Sequence, residues 1–236
     1  MHAELGTLLI AAASIGFVHT VVGPDHYVPF VMIGRAKHWS TARTLVLAFF
    51  CGVAHVLSSV VLGLIGIVFG VALNRIDWIE SVRGNLAAWT LIAFGLAYFV
   101  WGMKPVLRGK PHAHAHEHHS GKMHMHTHVH SHGHLHVHDK NAGNITPWVL
   151  FTIFVLGPCE PLIPLLMVPA AKASTTGLVL VTALFGLTTV TTMLGMVLLA
   201  LTGLNLLPLK PLEKYSHAVA GAVIFLTGLA IRFLGL

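Results

Sequence analysis

The sequence predicts an all-α polytopic membrane protein. Of its 236 residues, 55% are hydrophobic and only 9% are charged, and the mean hydropathy is +0.78. Soluble domains carry about 25% charged residues, so this composition argues against a water-soluble enzyme. The apolar residues also fall in runs close to the roughly 20 residues that cross a bilayer as a helix. The two cysteines, Cys51 and Cys159, lie in separate apolar runs, so no disulfide framework is expected.

Six apolar runs predict six transmembrane helices. The first, second and fourth exceed a minimal span, so we expect each to tilt or to break internally. The six runs lie at about Leu5–Gly34, Thr44–Leu73, Leu86–Met103, Pro147–Ala171, Gly177–Leu201 and Ala218–Leu236.

The lysines and arginines predict how these spans are oriented. The loops after the first, third and fifth spans hold ten of the 14 Lys and Arg residues, and the opposite side holds four. The positive-inside rule places the side richer in these residues in the cytoplasm. We therefore expect a multi-pass protein of the cell inner (cytoplasmic) membrane with both termini outside. Because the basic residues flank apolar spans, the partner that they indicate is the lipid bilayer and not nucleic acid.

The two halves of the chain share a pattern that predicts an internal duplication. Residues 1–103 and 147–236 each hold three spans, and residues 104–146 separate them. Because three is an odd number, the second copy would be inserted upside down, as in transporters that build a site at the membrane midplane. Alignment on the Gly-Pro dipeptides that begin at Gly23 and Gly157 places Asp25 opposite Cys159 and His26 opposite Glu160.

The prolines beside those glycines predict that the first and fourth helices are broken. Proline lacks an N–H and clashes with the carbonyl four residues earlier, and a freed carbonyl is tolerated only where it faces protein or a watery cavity. The two breaks should then face each other. Ionisable side chains at this depth are costly and indicate a functional site. The candidates are His19, Asp25, His26, His55, Cys159 and Glu160.

This set of donors predicts the passage of a metal ion. Imidazole, carboxylate and thiolate together suit Zn, Ni, Co or Fe(II), whereas Mg and Ca prefer oxygen alone. The chain has no phosphate-binding loop and no Gly-x-Ser-x-Gly motif, so we expect neither an enzyme nor an organic cofactor, and the ion is the substrate. Other roles remain open: Asp25 as a helix cap, His55 as a buried residue bonded to Ser58 or Ser59, and Cys159 as an apolar filler.

The segment between the two halves is rich in histidine. Between Pro111 and Lys140 it holds 13 of the 19 histidines, with few apolar partners, so we expect it to be disordered without metal. Histidine-rich tracts typically bind metal, and a cytoplasmic insert of this kind would collect or buffer the ion. A pH-sensitive linker is the alternative. The predicted accessory ligands are His124, His126, His128, His130, His132, His134, His136 and His138.

The stretch His19–His26 resembles the His-x4-Asp-His signature of the nickel/cobalt transporters (the NiCoT/NicO group and UreH-like relatives). The histidine-rich insert between the third and fourth spans is similar to that of exporters in this group. The resemblance implies a six-span layout in which His19, Asp25 and His26 bind the transported ion. This sequence departs from the signature in one respect, because five residues and not four separate His19 from Asp25.

A second resemblance implies a different function. The segment Leu156–Pro164 is similar to the Pro-Cys segments of CcdA/DsbD-type membrane electron carriers, which implies thiol/disulfide exchange through Cys159 and Cys51. The position that matches Cys159 in the first half is Asp25, not a cysteine. Anion export of the TauE/SafE type and a metal-sensing or metal-storing membrane protein are further alternatives. Glycine-rich helix faces are compatible with a homodimer.

Overall fold

The computed structural model describes residues 2–70, 73–107, 112–117, 123–128, 142–157, 159, 161–172, 174–205 and 210–235. Apart from one two-stranded hairpin, the regular structure is helical. Short 3₁₀ turns lie at Pro24–His26 and Lys210–Tyr215. The helices are α1 (His2–Val22), α2 (Val28–Ala36), α3 (Thr41–Val68), α4 (Leu73–Leu107), α5 (Ala142–Leu156), α6 (Leu162–Ala171), α7 (Thr175–Asn205) and α8 (Ser216–Leu234).

Five of these helices are long and apolar enough to cross a membrane, within the described residues. They are α1, α3, α4, α7 and α8. The fourth predicted span, which the prolines predict to be broken, consists of two shorter apolar helices, 146–156 in α5 and 162–171 in α6, and neither reaches the length of a span alone. The fold is therefore consistent with an all-α membrane protein, with five full-length helices where six were predicted.

The predicted break in the first helix is present. α1 ends at Val22, the 3₁₀ turn Pro24–His26 follows, and α2 begins at Val28. Pro24 and Pro29 each lie at the start of a helical segment, where a missing N–H costs nothing because it would have no helical partner. In the second half α5 ends at Leu156 and α6 begins at Leu162, so a second interruption occurs near the other Gly-Pro dipeptide.

Helix α4 begins well before the predicted third span. The sequence places that span at 86–103, whereas α4 runs from Leu73 to Leu107. The added turns carry charged side chains, which lower the hydropathy of the segment. The structure buries one of them, Glu80, beside Arg83 one turn later, so the charges do not prevent this part of the helix from packing.

Helices α4 and α8 form one tightly packed unit, which we call the α4–α8 pair. A Cβ atom added at Gly95, Gly102 or Gly221 would collide with the backbone of the other helix. Glycines at such contacts let two helix backbones touch. The pair lies against α2 and α5, while α1 packs on α7, and α3 packs on both α5 and α7. The central core includes Phe30, Ile33, Leu91, Phe154, Met193 and Ile224.

Two segments of the histidine-rich insert form an antiparallel hairpin. β1 (His112–Glu117) pairs with β2 (Met123–His128), and His114 lies opposite His126 in the register. These twelve residues pair through their backbones, and the disorder expected of the insert without metal stays a prediction. The predicted ligands His130, His132, His134, His136 and His138 lie outside the described residues.

Candidate metal centre

Three of the predicted site residues meet at the first helix break. His19 lies in the last turn of α1, His26 ends the 3₁₀ turn, and His55 lies in the middle of α3. The ring centroid of His26 lies 4.7 Å from that of His19 and 5.1 Å from that of His55. One nitrogen from each ring falls within 4.8 Å of the other two. We call these three residues the histidine cluster.

Hydrogen bonds fix which nitrogen of His26 carries the proton. Its Nδ1 lies 3.0 Å from Asp25 Oδ1 and 3.0 Å from the carbonyl oxygen of Gly23. Both oxygens accept, so Nδ1 donates and the lone pair of the neutral ring lies on Nε2. Nε2 is buried and has no hydrogen-bond partner among the described residues. The ring therefore presents an unused ligand atom to the cluster.

His55 has the same arrangement with a different acceptor. Its Nδ1 donates to the carbonyl oxygen of Phe154, 3.2 Å away at the end of α5, and its Nε2 is buried without a partner in the described part of the chain. The alternative in which its ring bonds to Ser58 or Ser59 is wrong. The Ser58 hydroxyl donates to the backbone carbonyl of His55 instead, as serines in helices commonly do.

The glycine of each Gly-Pro dipeptide lies against one of these rings. A Cβ atom at Gly23 would be 2.6 Å from His26 Nδ1, and one at Gly157 would be 3.2 Å from His55 Nδ1. A side chain at Gly23 would therefore displace the ring, and one at Gly157 would crowd it. The sequence motif marks the helix breaks, and the structure adds that the glycines make room for the histidines.

The remaining predicted ligands are placed differently. The Sγ atom of Cys159 is buried 3.9 Å from His19 Nε2, so the thiol borders the histidine cluster. Asp25 contacts the ring of His26, and no side chain in the described part of the chain caps the start of α2 through a hydrogen bond, which argues against the capping role. Glu160 lies outside the described residues.

The two cysteines do not form a pair. Both are free thiols. Cys51 packs in the central core with Phe30 and Met193, whereas Cys159 packs in a second cluster with Leu162 and Leu166. The geometry required for a disulfide is specific, and the fold places these thiols in separate parts of the interior.

A charged network that the sequence analysis missed holds the second break. Arg83 of α4 donates to the Ser58 hydroxyl at 2.7 Å and to the carbonyl oxygen of Val155 at 2.9 Å, and it also pairs with Glu80. The Ser59 hydroxyl accepts the N–H of Cys159 at 3.1 Å. The signal in the sequence was an acidic and a basic residue one helical turn apart, just before an apolar run.

A cavity of about 680 Å³ leads to the histidine cluster. His19, His26, His55 and Asp25 line its inner end, and it extends between α1 and the α4–α8 pair to Arg232 and Gly235 at the end of α8. The cluster is thus buried among side chains but reachable from one end of the helix bundle.

Comparisons with known proteins give no family for this chain. A scan against protein-family models found no match, and neither did searches of the curated proteins and of the solved structures. The resemblance to the nickel/cobalt transporters and the likeness to the CcdA/DsbD carriers therefore stay predictions.

Proposed function

We propose that this protein carries a divalent transition metal ion across a membrane and binds the ion at the histidine cluster. The observation that carries the proposal is the pair of buried Nε2 atoms on His26 and His55 that have no hydrogen-bond partner among the described residues. Each ring donates its Nδ1–H to a carboxylate or a backbone carbonyl. Histidines that bind metals are oriented by partners of this kind, and an unpaired buried nitrogen without such a role costs free energy.

The donors favour borderline metals. Three imidazoles with a neighbouring thiol suit Zn, Co, Ni or Fe(II) better than Mg or Ca. In this proposal His19, His26 and His55 bind the ion directly, Cys159 is the fourth candidate, and Asp25 orients His26 and offsets positive charge. Offsetting matters because ions are costly at membrane depth. Glu160 remains a proposed ligand from its place opposite His26 in the two halves.

The proposed framework is a pair of inverted three-helix repeats. Two contacts at the ends of the broken helices support it. Lys37, just after α2, donates to the Thr146 hydroxyl in α5 at 2.6 Å, and Lys172, just after α6, pairs with Glu4 in α1 at 3.1 Å. Each contact joins the lysine after the second part of one broken helix to the first part of the other, although the Gly-Pro alignment pairs Thr146 with Ala12 and not with Glu4.

The two contacts differ in exposure. Partial burial and the nearby Arg43 guanidinium lower the pKa of Lys37 below its usual range, whereas the side chains of Lys172 and Glu4 are 53% and 60% exposed. Exposed ion pairs contribute little, so the Lys172–Glu4 pair adds little to the contact between the repeats.

The proposed location is the cytoplasmic membrane, with both termini outside and the histidine-rich insert in the cytoplasm. The distribution of lysine and arginine supports this orientation. In it, the insert collects or buffers the ion at the cytoplasmic side, and the bilayer and the ion are the partners of the chain.

Metal flux into proteoliposomes tests the proposal. Wild type is compared with His55→Gln across Ni, Co, Zn, Fe(II) and Mn, and His38→Gln serves as a matched control because His38 is exposed between α2 and α3, away from the cluster. We expect flux of at least one borderline metal, lost in His55→Gln and kept in the control. Absence of flux for every ion, with Cys51 and Cys159 cycling between thiol and disulfide, would contradict transport and favour the electron carrier.

A further inference from the structure

The α4–α8 pair packs against the two broken helices at only one end of the helix bundle. We name the end of the bundle with the start of α1 and the end of α8 the terminal face, and the end with Leu107 and Ala142 the insert face. At the insert face α8 packs against α2, and α4 packs against α5. Within the described ranges, α1 and α6 make no comparable contact with α4 or α8. The cavity occupies the space between α1 and the pair.

The contact at the insert face closes the path beyond the histidine cluster. Ala36 of α2 is buried together with Tyr98 and Ala220 of the α4–α8 pair. Deeper in the bundle, the rings of Phe30 and Phe154 lie 4.7 Å apart, and both side chains are buried. Among the described residues, the cavity extends from the cluster toward the terminal face, whereas these buried side chains lie on the side of the insert face.

The face of α6 that corresponds to the packed face of α2 carries exposed side chains. Ile33 of α2 is fully buried, whereas its counterpart Val168 is 41% exposed, and Ala171 is exposed where Ala36 is buried. The alignment of α2 with α6 pairs Pro29 with Pro164, Met32 with Met167, Ala36 with Ala171 and Lys37 with Lys172.

The matching face of α4 borders the cavity. Alignment of Gly95 with Gly228 pairs Ala87 with Ala220 and Ala88 with Gly221. Ala220 is packed at the α2 contact, whereas Ala87 and Ala88 line the cavity. Both members of a second contact, α6 with α4, are thus present in the chain but apart in this structure.

We infer that the α4–α8 pair moves as a unit between two equivalent resting places. The structure has it on α2 and α5, with the histidine cluster open to the terminal face. In the second state it rests on α6 and α1, so the terminal face is closed and the cluster opens to the insert face. The inference rests on the proposed inverted repeats and ion site. The glycine contacts keep the pair together because no side chain separates the two backbones.

Two matched pairs of introduced cysteines test this motion in the full chain. Ala36→Cys with Ala220→Cys reports the contact in the structure, and Ala171→Cys with Ala87→Cys reports its counterpart in the second state. The native Cys51 and Cys159 are buried, and the four single variants control for their reaction. We expect both double variants to cross-link under mild oxidation and each cross-link to abolish flux, with flux restored by reduction.

Labelling of a third introduced cysteine reports to which face of the bundle the cavity is open. Asn85 lines the cavity, so Asn85→Cys should react with a membrane-impermeant maleimide when the first pair is cross-linked and resist it when the second pair is cross-linked. The same label on Asn85→Cys alone should be partial, which tests the motion even if a double variant fails to fold.

Two results would overturn the inference. One is cross-linking of the first pair but not of the second in a protein that transports metal. The other is unchanged flux after complete cross-linking of the first pair. Failure of the proposed function gives a different result. Both cross-links would form and would control the labelling of Asn85→Cys, but no metal would bind or cross the membrane. The motion would then be supported and the metal assignment contradicted.

Discussion

At the scale of single residues, the proposed ion site depends on atoms around the ligands as much as on the ligands. His26 and His55 present Nε2 only because their Nδ1 atoms are held by Asp25 and by the Phe154 carbonyl. Loss of such a partner frees the ring to rotate and to change tautomer, which typically costs 10- to 100-fold in metal affinity.

Asp25→Asn should therefore weaken ion binding about tenfold or more. Asparagine can still accept from the ring of His26, but it removes the negative charge that offsets the ion. Isothermal titration with Zn or Co on the detergent-solubilised protein measures the change. Asp77→Asn is the matched control because Asp77 is exposed on α4. Equal affinities in Asp25→Asn and wild type would contradict the role given to Asp25.

The thiol beside the cluster has its own signature. If Cys159 binds the ion, the Co(II)-loaded protein should absorb in the near ultraviolet through thiolate-to-metal charge transfer, and Cys159→Ser should lose this band but keep the visible bands of the imidazole-bound ion. Cys51→Ser should keep both. A wild-type protein that binds Co(II) without the near-ultraviolet band would leave Cys159 as a packing residue.

At the scale of elements, a side chain from another helix stabilises the second helix break. Arg83 of α4 donates hydrogen bonds to the Ser58 hydroxyl in α3 and to the carbonyl oxygens of Val155 and Gly157, which follow Phe154 in the chain. The guanidinium has five donors in a fixed fork, so one side chain satisfies carbonyls that the interrupted helix leaves without intrahelical partners.

Arg83→Gln should displace this break and, with it, the acceptor of His55 and the Cys159 thiol. We expect about a tenfold loss of ion affinity and an altered Co(II) spectrum. Arg83→Lys should fall between wild type and Arg83→Gln, because an ammonium keeps the charge but not the fork. Arg75→Gln, on the exposed start of α4, is the control. A lower melting temperature with an unchanged spectrum would show that Arg83 acts on stability alone.

The sequence predicts some of these elements and not others, for physical reasons. The break at Pro24 follows from the chemistry of proline, which acts locally. The hydrogen-bond acceptor of His55 does not follow from local chemistry, because it is the carbonyl of Phe154, which lies in another helix 99 positions away in the chain. Arg83 was missed because hydropathy favours uncharged windows, whereas the fold covers a charge by pairing it with Glu80.

At the scale of the whole molecule, the transport unit and the histidine-rich insert are separate parts of the proposal. The histidine cluster lies among α1, the 3₁₀ turn and α3, whereas the insert begins after α4. The hairpin within it places His112, His114 and His116 opposite His128, His126 and His124. The insert therefore offers potential ligands that are separate in the chain from those of the histidine cluster.

Deletion of 112–138 should therefore change how the protein responds to ion concentration more than its maximal rate. A collector raises the local concentration of ion near the path, which matters only while the histidine cluster is unsaturated. With the insert side exposed to limiting Co or Zn, we expect flux to fall several-fold, and at saturating ion to stay within about twofold of wild type, since local concentration no longer limits binding. Replacement of the thirteen histidines by asparagine at constant length separates metal capture from loop length. Equal loss of flux at both concentrations would make the insert part of the transport path, because only a change in the path lowers the rate once the site is filled.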